Sequence, residues 1–171
     1  AGASPAVAVT VVTMKVEAVT LDRELPGRVS ASLVAEVRPQ ANGIVKQRLF
    51  TEGSRVAAGQ ALYQIDDATY RADLESAKAA RARAEATLES ARLNATRSQD
   101  LVQIDAVSRQ EHENAMAALK HAEADLAATR AAVDRAGILL AYTRITSPIA
   151  GRIGKSAVTQ GALVTANQEE P

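Results

Sequence analysis

Cysteine and tryptophan are absent from this 171-residue chain, and aromatic residues make up only 2% of it. Phe50, Tyr63, Tyr70 and Tyr142 are all there are. Without cysteine there can be no disulfide framework, zinc–thiolate site or thiol nucleophile, and the redox compartment stays open. Surplus charge is missing too, since 20 basic and 20 acidic side chains cancel. The clustered Lys and Arg footprint of a nucleic-acid binder is therefore not expected. No apolar run reaches the roughly 18 residues of a membrane-spanning helix. The start, Ala1-Gly2-Ala3-Ser4-Pro5, lacks the basic and apolar regions of a signal peptide. Either a cytoplasmic protein or a processed or trimmed chain is expected.

Helix breakers are missing from the middle. No glycine occurs between Gly59 and Gly137, and no proline between Pro39 and Pro148. Alanine takes their place, with 22 of its 37 residues between Asp67 and Ala141. So uneven a distribution argues against one compact globule, because large core residues are too few to fill it.

Three segments separate by composition. To about Asp66 the chain is rich in Val, Gly and turn residues. Val29, Ala31, Leu33, Ala35 and Val37 alternate with polar neighbours, broken only by Val34, and Val7 to Val19 alternate with a slip at Val11-Val12. Both runs have the period of half-buried strands. Between Asp67 and Ala141 the period changes. Leu74, Ala77, Arg81, Ala84, Leu88, Ala91, Ala95, Ser98 and Val102 fall at alternating steps of four and three. Ala115, Leu119, Ala122, Leu126, Thr129, Val133, Ala136 and Leu140 repeat the rhythm. Such heptads read as a coiled coil, with Asp66 or Asp67 as N-cap. The short link around Gln103–Val107 makes the two helices antiparallel neighbours, each arm roughly 50–55 Å long at 1.5 Å per residue.

From Tyr142 the style of the first segment returns. Pro39-Gln-Ala-Asn-Gly43-Ile is echoed by Pro148-Ile-Ala-Gly151-Arg-Ile, and Thr51-Glu-Gly53 by Thr159-Gln-Gly161. Two β half-units therefore flank the helical pair. Neither is large enough to close a core alone, so the two must pair with each other. They look like halves of a lipoyl or biotinyl carrier domain. Neither Lys46 nor Lys155 occupies the exposed turn that a carrier modifies, because the coiled coil replaces it.

Catalytic motifs fail on inspection. Gly154-Lys155-Ser156 lacks the upstream glycine of a phosphate loop, since Ile149 stands there. His112 and His121 lie nine residues apart on one helix, hence on opposite faces, and cannot share a metal. His112 falls on the extrapolated seam, as a packing or solvated residue. No nucleophile–base pair is evident, so an enzyme is not expected, nor is a cofactor or metal. The tip is more specific. Arg97, Leu101 and Ser108 fit R-x3-L-x6-S across the helix–turn–helix junction. Ser108 reads as N-cap of the second helix, with Glu111 completing a capping box. Leu101 lies beside the seam, and Arg97 offers a forked donor at the rod's end.

Taken together, Gly27-Arg-Val, Glu36-Val-Arg-Pro-Gln, Gly43-Ile-Val, Tyr63-Gln-Ile-Asp66 and the block Leu140-Ala-Tyr142-Thr-Arg-Ile-Thr-Ser-Pro148-Ile-Ala-Gly151-Arg-Ile-Gly154 carry a family resemblance. From roughly Val9 to Gln168 the chain resembles the periplasmic adaptor subunits, or HlyD-like membrane fusion proteins, of tripartite efflux pumps. The last block is similar to that of adaptors serving RND-type drug/proton antiporters. The resemblance implies an α+β protein. A long antiparallel coiled-coil hairpin (67–141, tip about 102–108) is inserted into a split lipoyl/biotinyl-like β-sandwich (36–66 and 142–168). Residues 1–35 would supply N-terminal strands of an incomplete β-barrel.

The resemblance also implies a role. Arg97, Leu101 and Ser108 match the family's signature for docking onto an outer-membrane channel. The implied partners are that channel, an inner-membrane RND transporter, and further copies of the chain in a ring or tube, as trimer or hexamer. The implied location is the periplasm of a Gram-negative bacterium, attached to the inner membrane by an anchor absent from this chain. Such adaptors commonly begin at a lipid-bearing cysteine and continue into a completed barrel, so this chain is expected to be a fragment or the ordered part of a longer protein. An adaptor for an ABC-type exporter or type I secretion system would share the same tip. A lipoyl or biotinyl carrier domain is the remaining alternative.

Overall fold

The computed structural model describes Gly2 and residues 4–166, and the chain divides into two units, Ala1–Val34 and Ala35–Pro171. The end of the expected second β half-unit, 167–168, lies outside the described residues.

In the first unit every described residue is exposed, and none lies in a helix or strand. The alternating runs at 7–19 and 29–37 are therefore not strands in this structure, contrary to the expectation for 1–35. Alternation encodes a face to be buried, but a strand also needs a neighbouring ladder, and no other described segment supplies one.

In the second unit the chain runs β1 (Gly43–Arg48), β2 (Arg55–Val56), β3 (Ala61–Ile65), α1 (Ala68–Gln103), α2 (Arg109–Tyr142), β4 (Arg144–Thr146), β5 (Gly151–Arg152) and β6 (Leu163–Val164). One sheet has the order β4-β3-β1-β6, with every neighbour antiparallel, and β2 pairs with β5 in a second. Segments before and after the helices thus share both sheets. Their pairing follows the sequence echo. The Gly53 amide donates to the Ile153 carbonyl at 3.0 Å, and the Ile153 amide donates to the next carbonyl, Ser54, at 3.0 Å. In the same way the Gly161 amide donates to Val45 at 2.9 Å, and the Val45 amide to Ala162 at 2.9 Å. Gly53 and Gly161 sit at φ of 73° and 88°, where an L side chain is strained. Each half therefore closes the other through the same glycine turn.

The core of the β unit is small, and its strand residues come from the four-stranded sheet. Ala41, Val45, Ile65 and Val164 are buried together, with Tyr63, Tyr70, Ile145 and Val158 packed against them. Its floor is the place where both helices join the β unit. There the Ile65 amide donates to the Thr143 carbonyl at 2.8 Å, and the buried Thr143 hydroxyl donates to the Leu140 carbonyl at 2.7 Å, closing the end of α2. Tyr70, on the first turn of α1, donates its hydroxyl to the Asn42 carbonyl at 2.9 Å and accepts the Asn42 amide at 3.1 Å. At the start of α1, Asp67 holds the N-cap position without a side-chain bond, while the Asp66 carboxylate accepts the Ala68 amide at 3.1 Å. Lys46 reaches the same carboxylate at 3.0 Å, and Asp67 pairs with Arg71 one turn on. The Ala68 amide, then Lys46, hold the Asp66 carboxyl below its ordinary value, and Arg71 does the same for Asp67. Its bond to Asp66 raises Lys46.

The two helices lie side by side, joined by residues 104–108. At 1.5 Å per residue, their 36 and 34 residues make rods of roughly 54 and 51 Å. All eight expected seam positions of α2, from Ala115 to Leu140, are buried or half-buried. On α1 the exception is Arg81, which stays exposed and pairs with Glu85 at 3.2 Å while Ala80 turns inward. A guanidinium cannot enter an alanine seam without a buried partner. Among the described residues no helix is long and apolar enough to cross a membrane.

Candidate functional site

The distinctive chemistry of the second unit lies at the far end of the helical pair. Helix α1 stops without glycine or proline. Ile104 is its C-cap, and Asp105 follows at φ of 54°, in the left-handed region. The Asp105 amide donates to the Val102 carbonyl at 3.1 Å, and the Ala106 amide to the Leu101 carbonyl at 2.9 Å. These are the paired bonds of a Schellman ending, with aspartate where glycine is usual. Aspartate tolerates the conformation better than most residues, because its short polar side chain can bond locally.

Helix α2 starts at the expected N-cap, with the serine half of the capping box formed and no bond from the Glu111 carboxylate back to the Ser108 amide among the described residues. Ser108 has extended backbone angles, and its hydroxyl accepts the Glu111 amide at 3.1 Å. Two orphaned helix ends are thus satisfied within the five connecting residues 104–108.

The expected docking residues take distinct positions. Arg97 is exposed and makes no ion pair among the described residues, although Asp100 stands one turn away. It borders a groove of about 640 Å³ on α1, together with Leu93 and Asn94. Leu101 is half-buried and one turn beyond Arg97, so both lie on the same face. Its carbonyl anchors the turn through the Ala106 bond. Ser108 spends its hydroxyl on the cap. The cluster therefore offers one free cation, one partly exposed apolar side chain and a braced turn.

Two further features of the tip are not stated by any local sequence pattern. Ile104, an apolar residue at the turn itself, is 73% exposed. Ser98 and His112 meet across the seam, with the Ser98 hydroxyl oxygen 3.1 Å from His112 Nδ1. Both positions lay on the apolar rhythm, and two polar seam residues near a tight turn were the available signal. Their register alone brings them together. The pair is not a nucleophile and base, because Ser98 is 7% exposed and its proton is directed at the Ala95 carbonyl, 2.9 Å away.

Elsewhere the chemistry is sparse. Among the described residues no three His, Asp or Glu side chains gather where they could hold a metal. Lys46 lies within β1 and is ion-paired with Asp66, and Lys155 lies between β5 and β6. Neither sits at the junction of the two β half-units, which α1 and α2 occupy.

Comparison with known proteins agrees with this geometry. The family description "RND MFP, barrel-sandwich hybrid domain" matches residues 33–171. Over 161 residues the chain is 50% identical to multidrug efflux pump subunit AcrA of Escherichia coli, covering 94% of this chain and 41% of that protein. Over 160 residues it is 51% identical to multidrug resistance protein MexA of Pseudomonas aeruginosa, covering 94% and 38%. The solved structure of ZneB from Cupriavidus metallidurans matches with a TM-score of 0.55 at 25% identity, over 76% of this chain and 55% of that one. The chain thus spans about two fifths of the length of the curated relatives it matches. It belongs to the RND membrane fusion protein family, and residues 33–171 are the barrel-sandwich hybrid domain of that family.

Proposed function

We propose that this chain is the hairpin-bearing part of a periplasmic adaptor. It would link an inner-membrane RND drug/proton antiporter to an outer-membrane channel and serve multidrug efflux in a Gram-negative bacterium. The observation that carries the reading is the identity of about half its residues, across nearly its whole length, with proteins named multidrug efflux pump subunit AcrA and multidrug resistance protein MexA. Docking falls to the tip. Arg97 forms charge-assisted hydrogen bonds with acceptors on the channel, Leu101 packs against it, and Ser108 holds the turn. A free arginine beside an apolar contact at the end of a rod supports this assignment.

The remaining parts follow from the same reading. The two β half-units form a lipoyl-like sandwich that stacks against its copies in a ring. The hairpins of several copies line up as a tube, and the groove of about 550 Å³ between Leu88 and Arg92 of α1 and Leu119 and Arg130 of α2 is a surface for that contact. The alternating runs before Ala35 pair as barrel strands once the rest of that barrel is present. The reaction is mechanical, with no bond made or broken by the chain.

The test is a cellular one in the full-length protein. Leu101→Asp and Arg97→Asp abolish drug efflux while the protein is still made and still helical. Efflux that survives both substitutions refutes the docking assignment.

A further inference from the structure

Along most of the seam the helices meet through alanine and leucine, whose apolar contacts carry no direction. A single polar position in an apolar seam is what fixes register in paired helices. Among the described residues only one side-chain hydrogen bond joins α1 to α2, that between Ser98 and His112. Its place is specific. Ser98 adjoins Arg97 and precedes Leu101 by one turn, and His112 follows Ser108 by one turn. The bond therefore ties the turn of α1 that carries the docking side chains to the turn of α2 that caps the link.

Its direction follows from the neighbours. Carbonyl oxygens only accept, so the Ser98 hydroxyl proton goes to Ala95 O at 2.9 Å. The Ser98 oxygen is then an acceptor toward His112, and the ring proton sits on Nδ1. We propose that Ser98 and His112 form a register pin, a pair of positioning residues that hold Arg97, Leu101 and Ser108 in docking geometry through an Nδ1–H donor. The positioning role rests on the docking reading above, whereas the pin itself does not.

Three measurements test it. Proton–nitrogen NMR of the imidazoles, at a pH where the rings are neutral, finds His112 protonated on Nδ1, and Ser98→Ala shifts it toward the Nε2 form. A wild-type ring protonated on Nε2 overturns the assignment. Spin labels on cysteines placed at Gln99 and Gln110, in a chain with no cysteine of its own, give a narrow distance distribution. Ser98→Ala and His112→Phe broaden it, and His112→Asn, which keeps a donor near the Nδ1 position, restores it. An unchanged distribution in Ser98→Ala overturns the pin.

Docking of the full-length protein onto the purified outer-membrane channel then weakens about fivefold in either variant, the equilibrium worth of one neutral hydrogen bond, and no further in the double variant. Undiminished docking in both, where Leu101→Asp abolishes it, overturns the positioning role. Undiminished docking in Leu101→Asp as well counts against the docking reading instead, and the NMR and spin-label results then decide the pin.

Discussion

Replacing Gly43 by alanine tests how tightly the β unit closes over the foot of the helices. A Cβ built at this position would lie 2.7 Å from Cγ2 of Ile65, closer than carbon atoms pack, on a backbone at φ of 154°. Ile65 is fully buried, at 0% exposure, and cannot swing away. Overpacking of this kind costs about 1–3 kcal/mol. Ile65→Ala alone removes three carbons, worth about 0.8 kcal/mol each in transfer, and leaves a cavity, for a loss of about 3–4 kcal/mol. The double variant loses less than the sum, because the atom that the added methyl group would strike is gone. A favourable coupling of about 1–2 kcal/mol is expected, the φ strain at residue 43 remaining in both backgrounds. Urea unfolding followed by far-UV circular dichroism and tyrosine emission measures it, with exposed Val16→Ala as a neutral control. Strict additivity of the two losses would refute the contact, and a loss under about 1 kcal/mol for Ile65→Ala would refute the core.

Three further outcomes follow. At the left-handed Asp105, valine destabilises by about 1–2 kcal/mol relative to aspartate, while glycine is neutral or mildly stabilising; thermal melts in which Asp105→Val equals or exceeds the parent contradict the Schellman ending. Ala122, 4% exposed on the seam, does not accept leucine without about 1–3 kcal/mol of overpacking, whereas exposed Ala118→Leu is tolerated, and equal melting points for the two count against the close helix approach. The charges at the foot set a pH window. Asp66 and Asp67 are held below their ordinary values, so their contribution is present above about pH 4 and is lost as the pH falls through the lowered values. Lys46 is raised, so its contribution is present below about pH 10.5 and is lost as the pH rises through the raised value. Stability from these groups is level between, and Asp66→Asn reduces the acid-side fall; an acid limb identical in that variant would show that Asp66 contributes nothing to it.

The helices were legible because their signal is local. A four-three rhythm of small apolar residues, free of glycine and proline, specifies both the element and its buried face, and only Arg81 departed from it. The cap at Ser108 was readable for the same reason, since serine and the Glu111 amide lie within one turn. The other end of the link was not, because a Schellman ending normally announces itself with glycine and here carries Asp105. Ser98 and His112 could each be placed on the seam, but their meeting depends on the register between two helices, which no local pattern states. The strands expected before Ala35 show the opposite failure. Val29, Leu33 and Val37 alternate correctly and still form no strand, because a strand is a property of two paired segments and alternation within a run does not state its partner. The short strands β2, β5 and β6 were hidden, since two residues carry no period. Their pairing rests on the glycine turns, which the internal echo did reveal.

Everything proposed for function converges on the docking tip, and binding to the outer-membrane channel tests it most directly. Full-length protein and its Leu101→Asp and Arg97→Asp variants should be compared for association with the purified channel, with helix content followed in parallel. Both substitutions are expected to abolish association while the circular dichroism of the helices is unchanged. Association at parental strength in either variant, with the helices intact, would contradict the docking role.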